Sequence, residues 1–84
     1  MVFKIYIIWS NSLQKFYVGS TNNLDDRVLR HNSGQGKFTS KGIPWILIWS
    51  YDCVDRKEAF NLEYKIKRRG IKRFLEDNRI DLDN

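Results

Sequence analysis

One cysteine in 84 residues removes two ways of holding a small chain together. Cys53 has no partner for an internal disulfide and no CxxC neighbour for a zinc site. It reads as a small apolar residue packed at the end of a strand. Long hydrophobic runs are missing as well. Met1-Val2-Phe3-Lys4 lacks the apolar stretch of a secretion signal, and the longest apolar segments fall far short of a bilayer span. No lipidation signal or strongly amphipathic anchor accompanies the basic residues. A cytoplasmic protein with no membrane partner is the default expectation. A working phosphate loop is also absent. Asn32-Ser33-Gly34-Gln35-Gly36 lacks the Gly-Lys-Ser/Thr ending and the strand-to-helix setting, which excludes an ATPase or GTPase of that kind.

The length suits one domain, residues 1–84, with one modest core and no separate substrate domain. Hydrophobic residues make up 42% and charged residues 30%, an ordinary globular balance with no low-complexity segment. Aromatics reach 14%, including Trp9, Trp45 and Trp49, and a sheet face is their natural home. The net charge of +5 is unevenly spread. Lys65, Lys67, Arg68, Arg69, Lys72 and Arg73 follow one another without an acid, and the segment after them is mostly acidic. A basic patch attracts polyanions at long range and releases counterions on binding. Read as structure alone, it is a solvated helix face.

Val2 to Trp9 is rich in β-branched and aromatic residues and predicts a strand partly buried on both sides. After a polar connection, Lys15 to Ser20 resumes as a second strand, and the two pair as an antiparallel hairpin. Tyr6 and Tyr17 then share one sheet. Asn22 or Asn23 caps a helix, with Asp25 or Asp26 at the third position, and the helix ends near Asn32-Ser33-Gly34. From Gly34 to Gly42 the chain reads as a polar surface loop, where Lys37, Thr39, Ser40 and Lys41 form a lip over an anionic ligand. Trp45 to Tyr51 predicts a third strand, central or strongly covered. Asp55 and Glu58 open a second helix with Ala59, Leu62 and Ile66 as its apolar stripe. Gly70 breaks it, Ile71 to Leu75 forms a last short helix, and residues 77–84 fray. The expected fold is a small α/β domain, a three-stranded antiparallel sheet flanked by two or three helices.

Five polar residues are candidates for chemistry. Tyr6 and Tyr17 offer phenols, which donate hydrogen bonds and need cationic help to act as bases near neutral pH. Arg27 supplies such help and a planar fork for phosphate oxygens. His31, the only histidine, stands four residues on and shares its helical face. It is equally a packed histidine at a helix C-terminus. Glu63 sits at the margin of its helix's apolar stripe. One carboxylate with water and substrate phosphates suffices for Mg²⁺, and an ordinary ion pair with Lys67 is the competing reading. Lys37, Lys41, Lys67, Arg68 and Lys72 are candidates for nucleic-acid contact.

Lys4-Ile5-Tyr6, Tyr17-Val18-Gly19, the helix carrying Arg27, His31-Asn32-Ser33-Gly34 and the later Glu63 occur in an order that resembles the GIY-YIG nuclease family. The likeness runs from Tyr6 to about Leu75, and its closest match is the small single-domain bacterial branch. Lys4 stands where the first triplet of the family has glycine. The resemblance implies a divalent ion, Mg²⁺ or Mn²⁺, at Glu63. It implies an active site lined by Tyr6 and Tyr17, Arg27 on the scissile phosphate, and His31 at a position that enzymes of the family fill with histidine or tyrosine. The implied activity is hydrolysis of DNA phosphodiesters, selected by structure more than by sequence, with target choice supplied by a protein partner. A non-catalytic DNA- or RNA-binding module using the same basic groove is the alternative.

Overall fold

The computed structural model describes residues 2–34 and 39–78. Three strands form one antiparallel sheet: β1 (Phe3–Ser10), β2 (Lys15–Thr21) and β3 (Trp45–Cys53), in the order β2-β1-β3. Three helices cover it: α1 (Leu24–Asn32), α2 (Arg56–Arg69) and α3 (Ile71–Asp77). The expected hairpin forms, with Tyr6 opposite Gly19 and Ile8 opposite Tyr17.

β1 is the centre of the molecule. Ile5, Tyr6, Ile7 and Ile8 are all fully buried. Consecutive strand residues point to opposite faces, so burial of all four requires cover on both sides. On one face Ile5, Ile7 and Val18 meet Ala59 and Ile66 of α2, Leu75 of α3, and Cys53. On the other, Tyr6, Ile8 and Trp45 pack with Leu13, Tyr17 and Leu24. Cys53 is buried at the end of β3, as expected, and burial pushes its thiol pKa up.

Local chemistry sets the helix ends. The Asn23 side chain accepts from the Asp26 amide at 3.2 Å and caps α1. Asp55 accepts from the Glu58 amide at 2.9 Å, while the Glu58 carboxylate takes the Val54 amide at 2.9 Å. That reciprocal arrangement follows the logic of a capping box, shifted by one residue. Gly70, at φ 95°, turns the chain out of α2 and into α3, a conformation that a side chain would disfavour.

Two expectations are corrected. β3 is an edge strand, not a central one, and Ile46 and Leu47 are 51% and 42% exposed. Its unbroken apolar run resembles that of a buried strand, but strand order is a non-local property that composition does not encode. β3 also bulges: Ile7 faces Trp49 and Ile8 faces Leu47, so Ile48 is the extra residue. The segment before β3 is more than a surface lip. A single 3₁₀ turn, Thr39–Gly42, buries Thr39 and Gly42 against the site described next. Lys37 lies outside the described residues. At the C-terminus, Asp77 ends α3 and its carboxylate accepts two bonds from Arg69, at 2.6 and 3.0 Å.

Candidate active site

Tyr6 points from the central strand toward α1. Its hydroxyl meets His31 Nε2 at 2.9 Å. A Cβ on Gly19, across the hairpin, would lie 2.6 Å from that hydroxyl. Glycine in the second triplet is therefore what lets the phenol lie flat across β2. Behind His31, Nδ1 lies 3.0 Å from Thr39 Oγ1, and the Thr39 carbonyl accepts the Trp45 indole N–H at 2.6 Å. The Asn32 amide closes the far side. It accepts from the Trp45 backbone N–H at 2.6 Å and donates to the Trp45 carbonyl at 3.1 Å. Thr39, Asn32 and Trp45 form the bed on which His31 rests, a role that their sequence positions do not announce. Only the polar character of the segment hints at it, since Thr39 stands eight positions after His31 in another element and no single periodicity links them.

Electrostatics fix the protonation states. Burial, chiefly, and the neighbouring Tyr17 push the Tyr6 pKa up to about 12. The Arg27 guanidinium opposes this through charge and hydrogen bonding, and the Glu63 carboxylate adds a smaller upward push. Burial, then Arg27, lower the His31 pKa. At neutral pH Tyr6 keeps its proton and His31 is uncharged. The arrangement that satisfies both is Tyr6 O–H donating to Nε2, with Nδ1–H donating to Thr39.

Tyr17, Arg27 and His31 gather on the Tyr6 side of the sheet. Tyr17 packs edge-on against the His31 ring, centroids 5.3 Å apart. Arg27 acts on both Tyr6 and His31. Glu63 belongs to the helix on the opposite face. That helix packs on β1 and β2, and the Glu63 charge makes a small contribution at Tyr6. Glu63 also pairs with Lys67 at 2.9 Å, so the ion pair anticipated as its competing role is present. No cluster of three His, Cys, Asp or Glu side chains exists among the described residues.

The basic candidates are more scattered. Lys67 lies beside Glu63. Arg68 is exposed and donates to the Tyr64 hydroxyl at 3.3 Å. Lys41 is exposed on the 3₁₀ turn. Lys72 lines a separate concavity with Trp9, Lys15 and Phe16, on the side of the sheet away from Tyr6. Lys4 bonds Asp52 of β3 at 2.7 Å.

A family model described as the GIY-YIG catalytic domain matches residues 3–74. The chain belongs to the GIY-YIG family. Curated relatives carry it under the name UPF0213. The "UPF0213 protein in ldhD 5'region" of Pediococcus acidilactici is 37% identical over 82 residues, covering 90% of this chain and 83% of the relative. A UPF0213 protein of Pediococcus pentosaceus is 40% identical over 72 residues, covering 81% and 76%. The solution NMR structure of the UPF0213 protein BH0048 from Bacillus halodurans superposes with a TM-score of 0.61 at 27% identity, over 98% of this chain and 89% of that one. Membership in GIY-YIG places the chain among nucleases, a family that generally works on DNA with divalent metals. Among the described residues, no helix is long and apolar enough to cross a membrane.

Proposed function

We propose that this GIY-YIG domain is a divalent-metal-dependent endonuclease that hydrolyses DNA phosphodiesters, choosing its targets by structure more than by sequence. The observation that carries this reading is the buried Tyr6 hydroxyl, bonded to a neutral His31 and flanked by Arg27 and the Glu63 charge. With a pKa near 12, Tyr6 is not a base by itself. Bonded to a free imidazole nitrogen, it becomes a relay. The attacking water gives a proton to the Tyr6 oxygen as the phenol proton moves to His31 Nε2. The new O–P bond forms as the bond to the 3′ oxygen breaks. Arg27 balances the charge gathering on the non-bridging oxygens, the main form of stabilisation in such a transfer. Thr39 holds His31 by accepting the hydrogen bond of its Nδ1–H, and the proton taken up at Nε2 stays on the imidazolium until solvent removes it. The departing oxygen takes its proton from solvent.

Glu63 fits an ion of the Mg²⁺ or Mn²⁺ type. It already faces a cation, the Lys67 ammonium, and one carboxylate suffices when water and phosphate complete the coordination. Bound there, such an ion would polarise the phosphoryl group and steady the leaving oxygen. The Glu63–Lys67 pair favours a second reading, a domain that binds nucleic acid, DNA or RNA, without turnover. The test is incubation of wild type and Glu63→Ala with branched, flapped, nicked and linear DNA in Mg²⁺ or Mn²⁺. Cleavage by wild type alone, with DNA binding retained by the variant, is expected. Equal cleavage by both removes Glu63 from the metal site, and no cleavage by wild type leaves the binding module.

A further inference from the structure

The end of β2 and the first turns of α1 and α2 enclose a cavity of about 310 Å³. Ser20, Thr21, Arg27, Arg56 and Phe60 are among the residues that line it. Arg27 and Arg56 differ from their neighbours. Arg30, Lys67 and Arg69 each pair with a carboxylate, and no ion pair engages either Arg27 or Arg56 among the described residues. The Arg56 guanidinium lies over the Phe3 ring, 5.2 Å from its centroid. That contact fixes its position and leaves its planar edge of N–H donors for a ligand. Two guanidiniums in one cavity repel, and an anion between or beside them removes the repulsion.

Phe60 stands four residues after Arg56, on the same helical face, and is 67% exposed. A lone exposed phenylalanine would need no explanation. Here the ring shares a nucleotide-sized cavity with two guanidiniums and two hydroxyl side chains. Aromatic rings beside basic groups are how unpaired bases are held on a backbone track.

We infer that this cavity is a nucleotide subsite flanking the scissile phosphate. Arg56 holds the neighbouring phosphodiester, and Phe60 stacks on the adjoining base, which must be free of a pairing strand to reach it. The inference rests on the proposed position of the scissile phosphate at Arg27.

The test uses Arg56→Gln and Phe60→Ala, both at exposed positions, with thermal melting to show that each stays folded. The probe is a short thymidine oligonucleotide carrying one 2-aminopurine, held in EDTA so that nothing is cut. Phe60→Ala should abolish the change in 2-aminopurine fluorescence and weaken binding at least about fivefold, the lower end for removal of one stacked base. Arg56→Gln should lower the slope of log affinity against log salt by about 1. Wild-type fluorescence and salt slope in both variants would overturn the subsite, and continued DNA cleavage by wild type would leave the nuclease reading standing. Loss of both signals in the variants, with no cleavage by wild type on any substrate, would uphold the subsite and sink the nuclease. No binding of the probe by wild type overturns the subsite as well.

Discussion

Gly19 and Tyr6 form a lock in which the smallest residue makes room for a phenol. Gly19→Ala places a methyl 2.6 Å from the Tyr6 oxygen, so the ring must move and the bond to His31 must lengthen or break. The expected cost is about 1–3 kcal/mol from overpacking, read by chemical denaturation. Activity should fall further than stability, because the displaced atom is the one proposed as the relay. The pH dependence follows from the two shifted groups. His31 has a lowered pKa, so as the pH falls below 6.5 the unfolded chain takes up the proton first. Stability is then lost on acidification through the folded value, and the acidic limb of activity should lie below 6.5. His31→Gln should flatten the stability change there. Tyr6 shifts the other way. Stability should decline as the pH rises from about 10, where an unfolded tyrosine ionises, toward about 12. At this scale the sequence is informative about which residues meet. It puts Tyr6 and Tyr17 in one hairpin and Arg27 and His31 on one helix, as the structure has them. It offers Thr39 only as part of a loop lip and not as the partner of His31, because that bond joins two elements across a loop.

Among the elements, α2 carries both a buried stripe and a charged margin. Ala59 and Ile66 are buried on the sheet, and Glu63 stands beside that stripe, tied to Lys67. Lys67 therefore competes with any divalent ion for one carboxylate. An i,i+4 pair of this kind is worth roughly 0.3–0.5 kcal/mol. Lys67→Gln should lower the Mg²⁺ concentration that half-saturates activity by about twofold, measured by titration at fixed DNA. An unchanged titration would mean that Glu63 meets the metal from another rotamer, or not at all. The caps of both main helices are legible in the sequence because they depend on four consecutive residues, as at Asn23 to Asp26 and Asp55 to Glu58. The place of β3 is not. Trp45 to Trp49 carries the composition of a covered strand, and only the order of strands in the finished sheet reveals that one side is open.

The whole molecule is a sheet with unequal covers. Two helices seal one face, and one short helix and a 3₁₀ turn shape the other around Tyr6. The basic side chains of the two sealing helices do not share one patch. Lys67 lies beside Glu63, Arg68 beside Tyr64 on α2, and Lys72 in the concavity with Trp9. Lys67, Arg68 and Lys72 can be neutralised one at a time. Each phosphate that is thereby left without its cation should lower the slope of log affinity against log salt by about 1. An unchanged slope for Lys72 alone would confine the nucleic-acid path on these two helices to α2.

The Asn32 amide has a consequence at the open edge of β3. Its oxygen and nitrogen take the Trp45 N–H and C=O together, the same pair of bonds that a fourth strand would make there. One side chain thus imitates a neighbouring backbone and blocks the first rung of any added strand. Asn32→Ala would unblock that rung beside the exposed Ile46 and Leu47. Concentration-dependent self-association, seen by sedimentation, is the expected result, because a bare apolar edge templates the next chain.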